Sequence, residues 1–511
     1  MIMSDAVSPD VTVAVIGAGT MGNGIAHVAA RAGHPVVLFD VSTEAVERGR
    51  SAIAKDLGFL VSKQRLGQAE ADAILGRVRT ATTLEAVGGA GLVVEAIVED
   101  REAKRRLFAE LESRLPDTAI IASNTSSFSI TELAAGLGHP ERVVGMHFFN
   151  PAPRMALVEV VDGLQTDPKV AESILATSRA WGKTPVRARS TPGFIVNRVA
   201  RPYYGEAMRT LTEQACTPAT LDAVLRDCGG FAMGPCELMD LIGLDVNLAV
   251  TGSVFSALGW DRRYAPSLIQ QELVRGGRLG RKSGRGFHDY GPGASAPVAD
   301  VEPPRGQGAA PVSASAERGL LQPLVARLAA GGINVQPLMD AHAHCLHVGA
   351  ARVSLSDGRT ATRIAAEIGE PNVVLVDLAF DFSRTTRLTL ARADPCSAEA
   401  YDQVVATFQS AGFTVTGVDD IAGMVVLRTV ATLVNEAADV VTQGIATAAD
   451  VDTAMRLGTN YPQGPLGWAD RLTPAFVATV LDHLRAHYGE ERYRVSPALQ
   501  RRRYSEGAFH G

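Results

Sequence analysis

Two groups of residues near the start of the chain have the types and spacing to do chemistry: a glycine-rich segment and a histidine followed by a carboxylate. Gly17, Gly19 and Gly22 in GAGTMGNG give the pattern GxGxxG. Between a strand and a helix, these glycines let a pyrophosphate approach the backbone and lie on the helix N-terminus. The pattern alone is weak evidence because glycine turns occur in other α/β folds, so its surroundings must decide.

The surroundings favour a dinucleotide site. The apolar run from Val11 to Ile16 predicts a strand before the glycines, and the apolar residues after them recur at helical spacing. A second apolar run ends at Asp40. A carboxylate at this place can bind the ribose hydroxyls of NAD and would repel the extra phosphate of NADP. The sequence therefore predicts NAD as the cofactor.

The second group is His147 in HFFNP, with Glu159 in LVEVV after it. A histidine that is hydrogen-bonded to a carboxylate has a fixed tautomer and a raised basicity, which suits a general base. A buried structural histidine would give the same pattern. The spacing by itself leaves both interpretations open.

The elements that must hold these residues alternate between strand and helix. Short apolar runs at Pro35 to Phe39, Leu92 to Val94, Ala119 to Ala122 and Val143 to Met146 predict strands separated by helices. This alternation is typical of a doubly wound parallel sheet. From Thr191 to about Tyr290 the pattern favours helices and contains few candidate strands. We therefore expect a Rossmann-type α/β domain followed by an all-α domain.

The second half of the chain contains an internal repeat. TPGFIVNR around Gly193 aligns with IAGMVVLR around Gly423, and Gly234 aligns with Gly464, both at an offset of 230. ITELAAGLGHP aligns with ATRIAAEIGEP at an offset of 231. The chemically important positions differ between the copies: His147 becomes Asp377, Glu159 becomes Thr389 and Asn197 becomes Leu427. We infer one working site and one degenerate copy, without a glycine-rich loop.

The repeat and the composition together suggest five segments. These are an NAD-binding Rossmann-type domain (1–188), a helical domain (189–290), a flexible linker rich in small residues and proline (291–317), a degenerate partial Rossmann-like segment (318–420) and a second helical domain (421–511).

The composition limits the class of function. Lys and Arg total 49 and Asp and Glu total 55, a formal charge of −6 with no long run of one sign, so we expect neither nucleic acid nor a membrane surface as a partner. The five cysteines form no CxxC pair, and the first residues lack the basic start of a signal peptide. We expect a cytoplasmic protein without a metal, with His342, His344, Cys345 and His347 solvated or packed.

In order and separation, GAGTMGNGIA, VVEAIVED, ASNTSS, GMHFFNPAP, LVEVV, TPGFIVNR and MGPCELMD resemble the 3-hydroxyacyl-CoA dehydrogenase family, over about residues 11–290. The resemblance implies NAD-dependent oxidation of a 3-hydroxyacyl-CoA to a 3-oxoacyl-CoA, with the thioester held between the Rossmann-type and helical domains. Because family members pair through their helical domains, it also suggests an internal pseudo-dimer of the two helical segments, with a homodimer as a further option.

The resemblance also implies residue roles. His147 matches the catalytic acid and base, Glu159 matches its carboxylate partner, and Ser126 and Asn197 match groups that hold the substrate oxygens. Lys63 matches a coenzyme A contact, although an exposed lysine is more often only solvated. The positions that match cofactor contacts are Gly17, Gly19, Thr20, Met21, Gly22, Asp40, Glu99, Lys104 and Asn124.

Alternatives remain for both class and substrate. A β-hydroxyacid dehydrogenase would use a lysine base, which the HFFNP block with Glu159 disfavours, and a non-catalytic NAD-binding protein would not need these residues. The resemblance implies as substrate either 3-hydroxyadipyl-CoA of phenylacetate degradation or 3-hydroxybutyryl-CoA of fatty-acid or polyester metabolism. A far carboxylate would require a cation, and Arg154, Arg198 and Arg201 are candidates.

Overall fold

The computed structural model describes residues 5–306, 308–315, 319–338 and 345–511. The chain forms two compact units, one made of Met1–Arg198 with Gln443–Thr459 and the other of Val199–Thr442 with Asn460–Gly511. Each unit contains one β-sheet. In the described ranges no single helix is long and apolar enough to cross a membrane; one pair, Pro235–Ile242 with Leu244–Ala257, reaches that length only together and is bent by 99°.

The first unit is built on an eight-stranded sheet in the order β3-β2-β1-β4-β5-β6-β7-β8. Neighbouring strands are parallel except for the antiparallel pair β6 and β7. The predicted Rossmann-type sheet is thereby confirmed. Its strands are β1 (Val13–Ile16), β2 (Val36–Phe39), β3 (Val78–Ala81), β4 (Leu92–Glu95), β5 (Ile120–Ser123), β6 (Val143–Phe148), β7 (Leu157–Asp162) and β8 (Thr184–Arg189).

Helices cover both faces of this sheet. Because side chains alternate along a strand, Val13 and Val15 belong to one buried apolar cluster, and Ala14 and Ile16 to another. Strands buried on both faces explain the continuous apolar runs in the sequence. The helices are α1 (Thr20–Arg31), α2 (Thr43–Ser62), α3 (Gln68–Gly76), α4 (Arg101–Glu112), α5 (Ile130–Ala134), α6 (Pro168–Ala180) and α7 (Val196–Val199).

The second unit begins with five helices, as the sequence predicts. They are α8 (Arg201–Thr212), α9 (Pro218–Asp227), α10 (Pro235–Ile242), α11 (Leu244–Ala257) and α12 (Leu268–Arg275). Within the segment 291–317, residues Val312–Ser315 form the strand β9, and the backbone N–H of Glu302 donates a hydrogen bond to the carbonyl of Val415. This part of the segment therefore packs on the second sheet.

The second sheet has seven strands in the order β10-β9-β11-β12-β13-β14-β15. They are β9 (Val312–Ser315), β10 (Val335–Leu338), β11 (Cys345–Val348), β12 (Ala351–Leu355), β13 (Val373–Val376), β14 (Arg387–Arg392) and β15 (Thr414–Gly417). The pair β13/β14 is antiparallel, as β6/β7 is in the first sheet. The pair β14/β15 is parallel, as β7/β8 is. The predicted degenerate Rossmann-like copy is confirmed by this shared pattern. His342 and His344 lie outside the described residues.

The remaining helices complete both units. They are α13 (Gln322–Ala330), α14 (Ala361–Ile368), α15 (Ala398–Ser410), α16 (Val426–Thr442), α17 (Ala448–Thr459), α18 (Pro465–Leu472), α19 (Pro474–Tyr488) and α20 (Pro497–Ser505). In the second unit, α16 of the second copy packs against α8 of the first. The buried guanidinium of Arg428 on α16 bonds to the carboxylates of Glu206 and Glu213 at 2.7 and 2.9 Å.

The helix α17 leaves its own copy and packs on β7 and β8 in the first unit. Its counterpart α9, 230 residues earlier, packs on β14 in the second unit. Gly458 provides the close fit, since a Cβ there would lie 2.9 Å from Leu157 and 3.0 Å from Val196. The second copy thus supplies part of the support for the strand that carries Glu159.

Candidate active site

His147 and Glu159 are held together by the register of two antiparallel strands. On β6 and β7 they occupy directly paired positions. The Nδ1 atom of His147 lies 2.7 Å from the Oε2 atom of Glu159, and both side chains are buried. An Nδ1–H that donates to a carboxylate fixes the tautomer, which leaves Nε2 as the nitrogen able to accept a proton.

Glu159 is itself held at both oxygens. Its Oε1 atom accepts hydrogen bonds from the backbone N–H groups of Ile195 and Val196, at 3.1 and 2.9 Å. These amides lie at the start of α7, where backbone donors would otherwise have no partner. The carboxylate therefore has one position, and it fixes both the imidazole and the segment that contains Asn197.

Aromatic rings surround the imidazole. The ring centroids of Phe149 and Phe194 lie 4.6 and 5.9 Å from that of His147. His147 is 6% exposed. Apolar walls exclude water from around the pair, and electrostatic interactions are stronger where water is excluded.

A second polar network follows β4 and β5. The Glu99 carboxylate accepts hydrogen bonds from the hydroxyls of Thr125 and Ser127 at 2.6 and 2.7 Å and, at 3.3 Å, from the backbone N–H of Ser126. Burial alone would raise the pKa of Glu99, but Lys104 and these hydroxyls together lower it. Glu99 thus holds the loop that carries Ser126.

Lys104 connects this network to the sheet. Its ammonium group lies 2.6 Å from Glu95 and 3.1 Å from Glu99, and its side chain is 1% exposed. Glu95 also accepts a hydrogen bond from the hydroxyl of Ser123 at 2.6 Å. Asn124 accepts one from the backbone of Phe148 at 2.8 Å, which ties the end of β5 to the end of β6. Lys104 and Asn124 thus position the ends of the strands around the site.

The glycine turn fits a dinucleotide. Gly17 has φ of +102°, and a Cβ there would lie 2.5 Å from the carbonyl oxygen of Ala96. A Cβ on Gly22 would lie 1.7 Å from the oxygen of Gly17, whereas beside Gly19 there is open space. Because no side chain of the described residues caps α1, its first N–H groups are available to a pyrophosphate. Thr20 and Met21 form the first turn of this helix.

Asp40 lies at the end of β2, where the ribose of such a dinucleotide would bind. Its carboxylate accepts hydrogen bonds from the backbone N–H groups of Ala18 and Ser42, at 2.9 and 3.1 Å. These bonds orient the carboxylate and leave acceptor capacity for ribose hydroxyls. The turn and Asp40 together fit NAD.

The remaining sequence-predicted residues lie apart from these hydrogen-bond networks. Asn197 is half-buried in α7, and its side chain makes no hydrogen bond among the described residues. Lys63 is exposed at the end of α2, and its ammonium lies 5.7 Å from the ring centroid of Phe59. Sequence reasoning missed Thr125 and Ser127, although the run of hydroxyl residues in SNTSS was a usable signal.

The second copy has lost the histidine but kept a buried carboxylate. Asp377, at the place of His147, accepts hydrogen bonds from the backbone N–H groups of Val425, Val426 and Leu427 at 2.7–3.0 Å. Two of these residues, Val425 and Val426, are the counterparts of those bound by Glu159. Burial raises the pKa of Asp377 to about 6. This copy therefore retains the helix anchor without a general base.

A Rossmann-type sheet with a glycine turn, an acidic residue after β2 and a buried histidine–carboxylate pair defines a nicotinamide-dependent dehydrogenase. Family comparisons agree. The 3-hydroxyacyl-CoA dehydrogenase NAD-binding domain matches residues 12–191, and the C-terminal domain of that family matches residues 193–290 and 423–509. The reduced Rossmann-fold domain of 3-hydroxybutyryl-CoA dehydrogenase matches residues 353–421. The chain belongs to the 3-hydroxyacyl-CoA dehydrogenase family, and its cofactor is NAD.

Individual relatives extend the likeness over the whole chain. The 3-hydroxyadipyl-CoA dehydrogenase of Escherichia coli K12 is 43% identical over 98% of both chains. The crystal structure of a 3-hydroxybutyryl-CoA dehydrogenase from E. coli K12 has a TM-score of 0.89 and 42% identity, covering 97% of this chain and 99% of that one. A probable 3-hydroxybutyryl-CoA dehydrogenase of Deinococcus radiodurans is 43% identical over 54% of this chain and 99% of its own.

Proposed function

We propose that this enzyme oxidises (S)-3-hydroxyadipyl-CoA to the 3-oxo thioester, with NAD as hydride acceptor, in the degradation of phenylacetate. The buried His147–Glu159 pair carries the assignment of the reaction, because oxidation of an alcohol requires a base for the hydroxyl proton. The substrate assignment is supported by the E. coli 3-hydroxyadipyl-CoA dehydrogenase, since the likeness includes the second copy as well as the catalytic half.

In this reaction the Nε2 atom of His147 takes the proton from the hydroxyl at the third carbon. Glu159 stabilises the imidazolium that forms, and Ser126 and Asn197 hold the substrate oxygens. Bound NAD, held by the glycine turn and Asp40, supplies the hydride acceptor. The rigid strand positions of His147 and Glu159 supply orientation, which lowers the entropic cost of reaching the reactive geometry.

A second substrate has its own support. Relatives that match 54% of the chain are named 3-hydroxybutyryl-CoA dehydrogenase or probable 3-hydroxybutyryl-CoA dehydrogenase, and the E. coli structure that matches 97% of the chain carries the same name. On this alternative the enzyme would oxidise the plain four-carbon chain in fatty-acid or polyester metabolism. In both cases Lys63, exposed at the end of α2, is proposed to contact coenzyme A phosphate. We also propose a cytoplasmic location, in keeping with five cysteines that form no disulfide bond among the described residues.

We further propose that the two helical segments form an internal pseudo-dimer that replaces pairing between subunits. Glu206 and Glu436 lie 230 residues apart, the offset of the repeat. Glu206 accepts a hydrogen bond from Tyr493, and Glu436 accepts one from Tyr264, so each copy provides a tyrosine to the other. Analytical ultracentrifugation tests the proposal: a monomer of about 54 kDa supports it, and a dimer that dissociates when α16 is altered contradicts it.

The activity test is a panel of (S)-3-hydroxyacyl-CoA thioesters assayed by NADH formation. Preference for 3-hydroxyadipyl-CoA supports the first assignment. Preference for 3-hydroxybutyryl-CoA supports the alternative. Inactivity with all thioesters would contradict both.

A further inference from the structure

A segment of the second copy, Gln443–Thr459, completes the first unit. Its helix α17 packs on β7, which carries Glu159, and on β8, the strand beside it. Val451 and Met455 of α17 are fully buried at helical spacing, and Gly458 continues the same stripe. One face of this crossing segment therefore covers the catalytic sheet.

Two hydrogen bonds attach the crossing segment beside residues of the active site. The backbone N–H of Arg189, at the end of β8, donates to the carbonyl of Ile445 at 2.9 Å. The buried guanidinium of Arg198 donates to the side-chain oxygen of Gln443 at 2.8 Å. Arg198 directly follows Asn197 in α7. The crossing segment is thus anchored both at the edge of the catalytic sheet and at the short helix α7.

Gly458 lies against two close neighbours of Glu159. A Cβ at Gly458 would lie 2.9 Å from Cδ2 of Leu157, two residues before Glu159 on β7, and 3.0 Å from Cγ2 of Val196. Both distances are shorter than the roughly 3.5–4.0 Å at which carbon atoms normally meet. Val196 also donates its backbone N–H to Oε1 of Glu159 at 2.9 Å. A side chain at Gly458 would therefore displace a residue that holds the carboxylate.

The counterpart contact in the second unit shows that the repeat does not itself require a glycine here. At the offset of 230, Gly458 corresponds to Cys228. The buried thiol of Cys228 lies 3.3 Å from the carbonyl oxygen of Arg387 and 3.6 Å from the hydroxyl of Thr389, which takes the place of Glu159. The sheet that carries the carboxylate meets a glycine, whereas the sheet that has lost it meets a side chain.

We propose that Gly458 is a positioning residue for the dehydrogenase reaction. Its lack of a side chain lets α17 set the place of Val196, which holds Glu159 and, through it, the imidazole of His147. The second copy thus acts on the reaction from within the first unit. The inference rests on the proposed role of the His147–Glu159 pair, and it holds for either acyl chain. A shift of about 0.5 Å matters, because catalytic groups must be held within about that distance.

The test adds volume at Gly458 and follows a single turnover with the thioester that the wild-type enzyme oxidises fastest. Gly458→Cys introduces the residue of the counterpart position. Gly458→Ala adds one carbon and keeps the test decisive where the cysteine variant does not fold. The rate of NADH formation at saturating thioester should fall by about tenfold in the alanine variant and further in the cysteine variant. The KM for the thioester and the affinity for NADH should stay within about twofold of wild type.

A second substitution separates positioning from general damage. Val196→Ala removes the methyl groups that a new Cβ would crowd and keeps the backbone N–H that donates to Glu159. In this background the effect of Gly458→Ala should shrink from about tenfold to less than about threefold. Because alanine favours a helix more than glycine does, the melting temperature of Gly458→Ala should stay within a few degrees of wild type.

Gly58→Ala is the matched control. It makes the same change at an exposed glycine in α2, where a Cβ would have nothing within 4 Å. Its single-turnover rate should stay within about twofold of wild type, since the added methyl group displaces no neighbour.

The outcomes separate this inference from the proposed function. Wild-type rates in both Gly458 variants would overturn the inference. So would a loss in Gly458→Ala that persists unchanged in the Val196→Ala background, because crowding of Val196 would then not be its cause. Both results would leave the proposed function standing. Near-normal turnover in His147→Gln would instead overturn the proposed base, and the positioning role with it.

Discussion

Asp377 and Glu159 accept hydrogen bonds from backbone amides that occupy equivalent positions in the two copies. The two carboxylates, however, lie on strands that are not equivalent. Glu159 reaches Ile195 and Val196 from β7, whereas Asp377 reaches Val425 and Val426 from the end of β13, the counterpart of β6. Both copies therefore need a carboxylate to anchor the helix that follows. In the first copy this carboxylate lies on the opposite strand, which leaves the place on β6 free for a histidine.

Replacing the histidine should separate catalysis from cofactor binding. We expect His147→Gln to lower kcat by about 10²–10⁴-fold, the usual contribution of a general base. The affinity for NADH should stay within about twofold of wild type, because the glycine turn and Asp40 are untouched. Stopped-flow turnover and titration of NADH fluorescence measure the two effects. Near-normal turnover would contradict the assignment of the base.

Changes at Glu159 should separate its two functions. Glu159→Gln can still accept from the amides of Ile195 and Val196, but its NH₂ group would face Nδ1 of His147 and favour the tautomer with the proton on Nε2. We expect a loss in kcat of about 10²-fold or more with a nearly unchanged melting temperature. Glu159→Ala, which also leaves two buried amides unsatisfied, should lose stability by about 2–4 kcal/mol.

Pairs of thermal melts and kcat measurements on the two Glu159 variants provide the check. A Glu159→Gln variant as unstable as Glu159→Ala would contradict the assignment of separate roles to the two carboxylate oxygens, Oε2 to the imidazole and Oε1 to the backbone amides.

The preference for NAD should depend on Asp40. Asp40→Ser removes the charge that repels the 2′-phosphate and weakens the bonds to the ribose. The ratio of kcat/KM for NAD over NADP should fall by about 10-fold or more, mostly through a loss with NAD. Initial rates with both cofactors on one substrate measure this ratio. An unchanged ratio would move the specificity determinant elsewhere.

The buried carboxylate of Asp377 should affect the pH dependence of stability. Its pKa in the folded state is about 6, above the ordinary value of 3.8. The folded protein therefore holds the proton more tightly, and stability from this group falls as pH rises from about 4 to about 6, by about 3 kcal/mol in total. Asn does not titrate, so the melting temperature of Asp377→Asn should rise relative to that of wild type as the pH increases over the same interval. A difference that stays constant with pH would show that Asp377 titrates normally.

The ion pairs between the helical segments should contribute strongly to stability. Arg428→Met leaves Glu206 buried and less compensated, so we expect a loss of about 3–5 kcal/mol. Arg275→Met, which breaks the exposed pair with Glu272, should change stability by less than about 1 kcal/mol. Chemical denaturation monitored by circular dichroism compares the two. Equal effects would mean that burial does not distinguish these pairs.

Local features of the site could be predicted from the sequence because neighbouring residues determine them. A glycine turn between an apolar strand and a helix, with Asp40 after the next strand, leaves few alternatives to a dinucleotide site, and constant offsets of 230 and 231 disclosed the duplication. The spacing of His147 and Glu159 left their relationship open, and only the likeness to a known family favoured pairing. The register of β6 against β7 then placed them 2.7 Å apart.

Other features were decided by the tertiary structure alone. Nothing in the order of residues indicates that α17 joins the first unit while its counterpart α9 joins the second, because packing between distant segments has no local signal. The sequence by itself determined the dinucleotide turn, the residue after the second strand and the repeat, and its likeness to a known family gave the reaction class. Long-range packing decided which side chains meet, because contacts between distant segments leave no local pattern in the sequence.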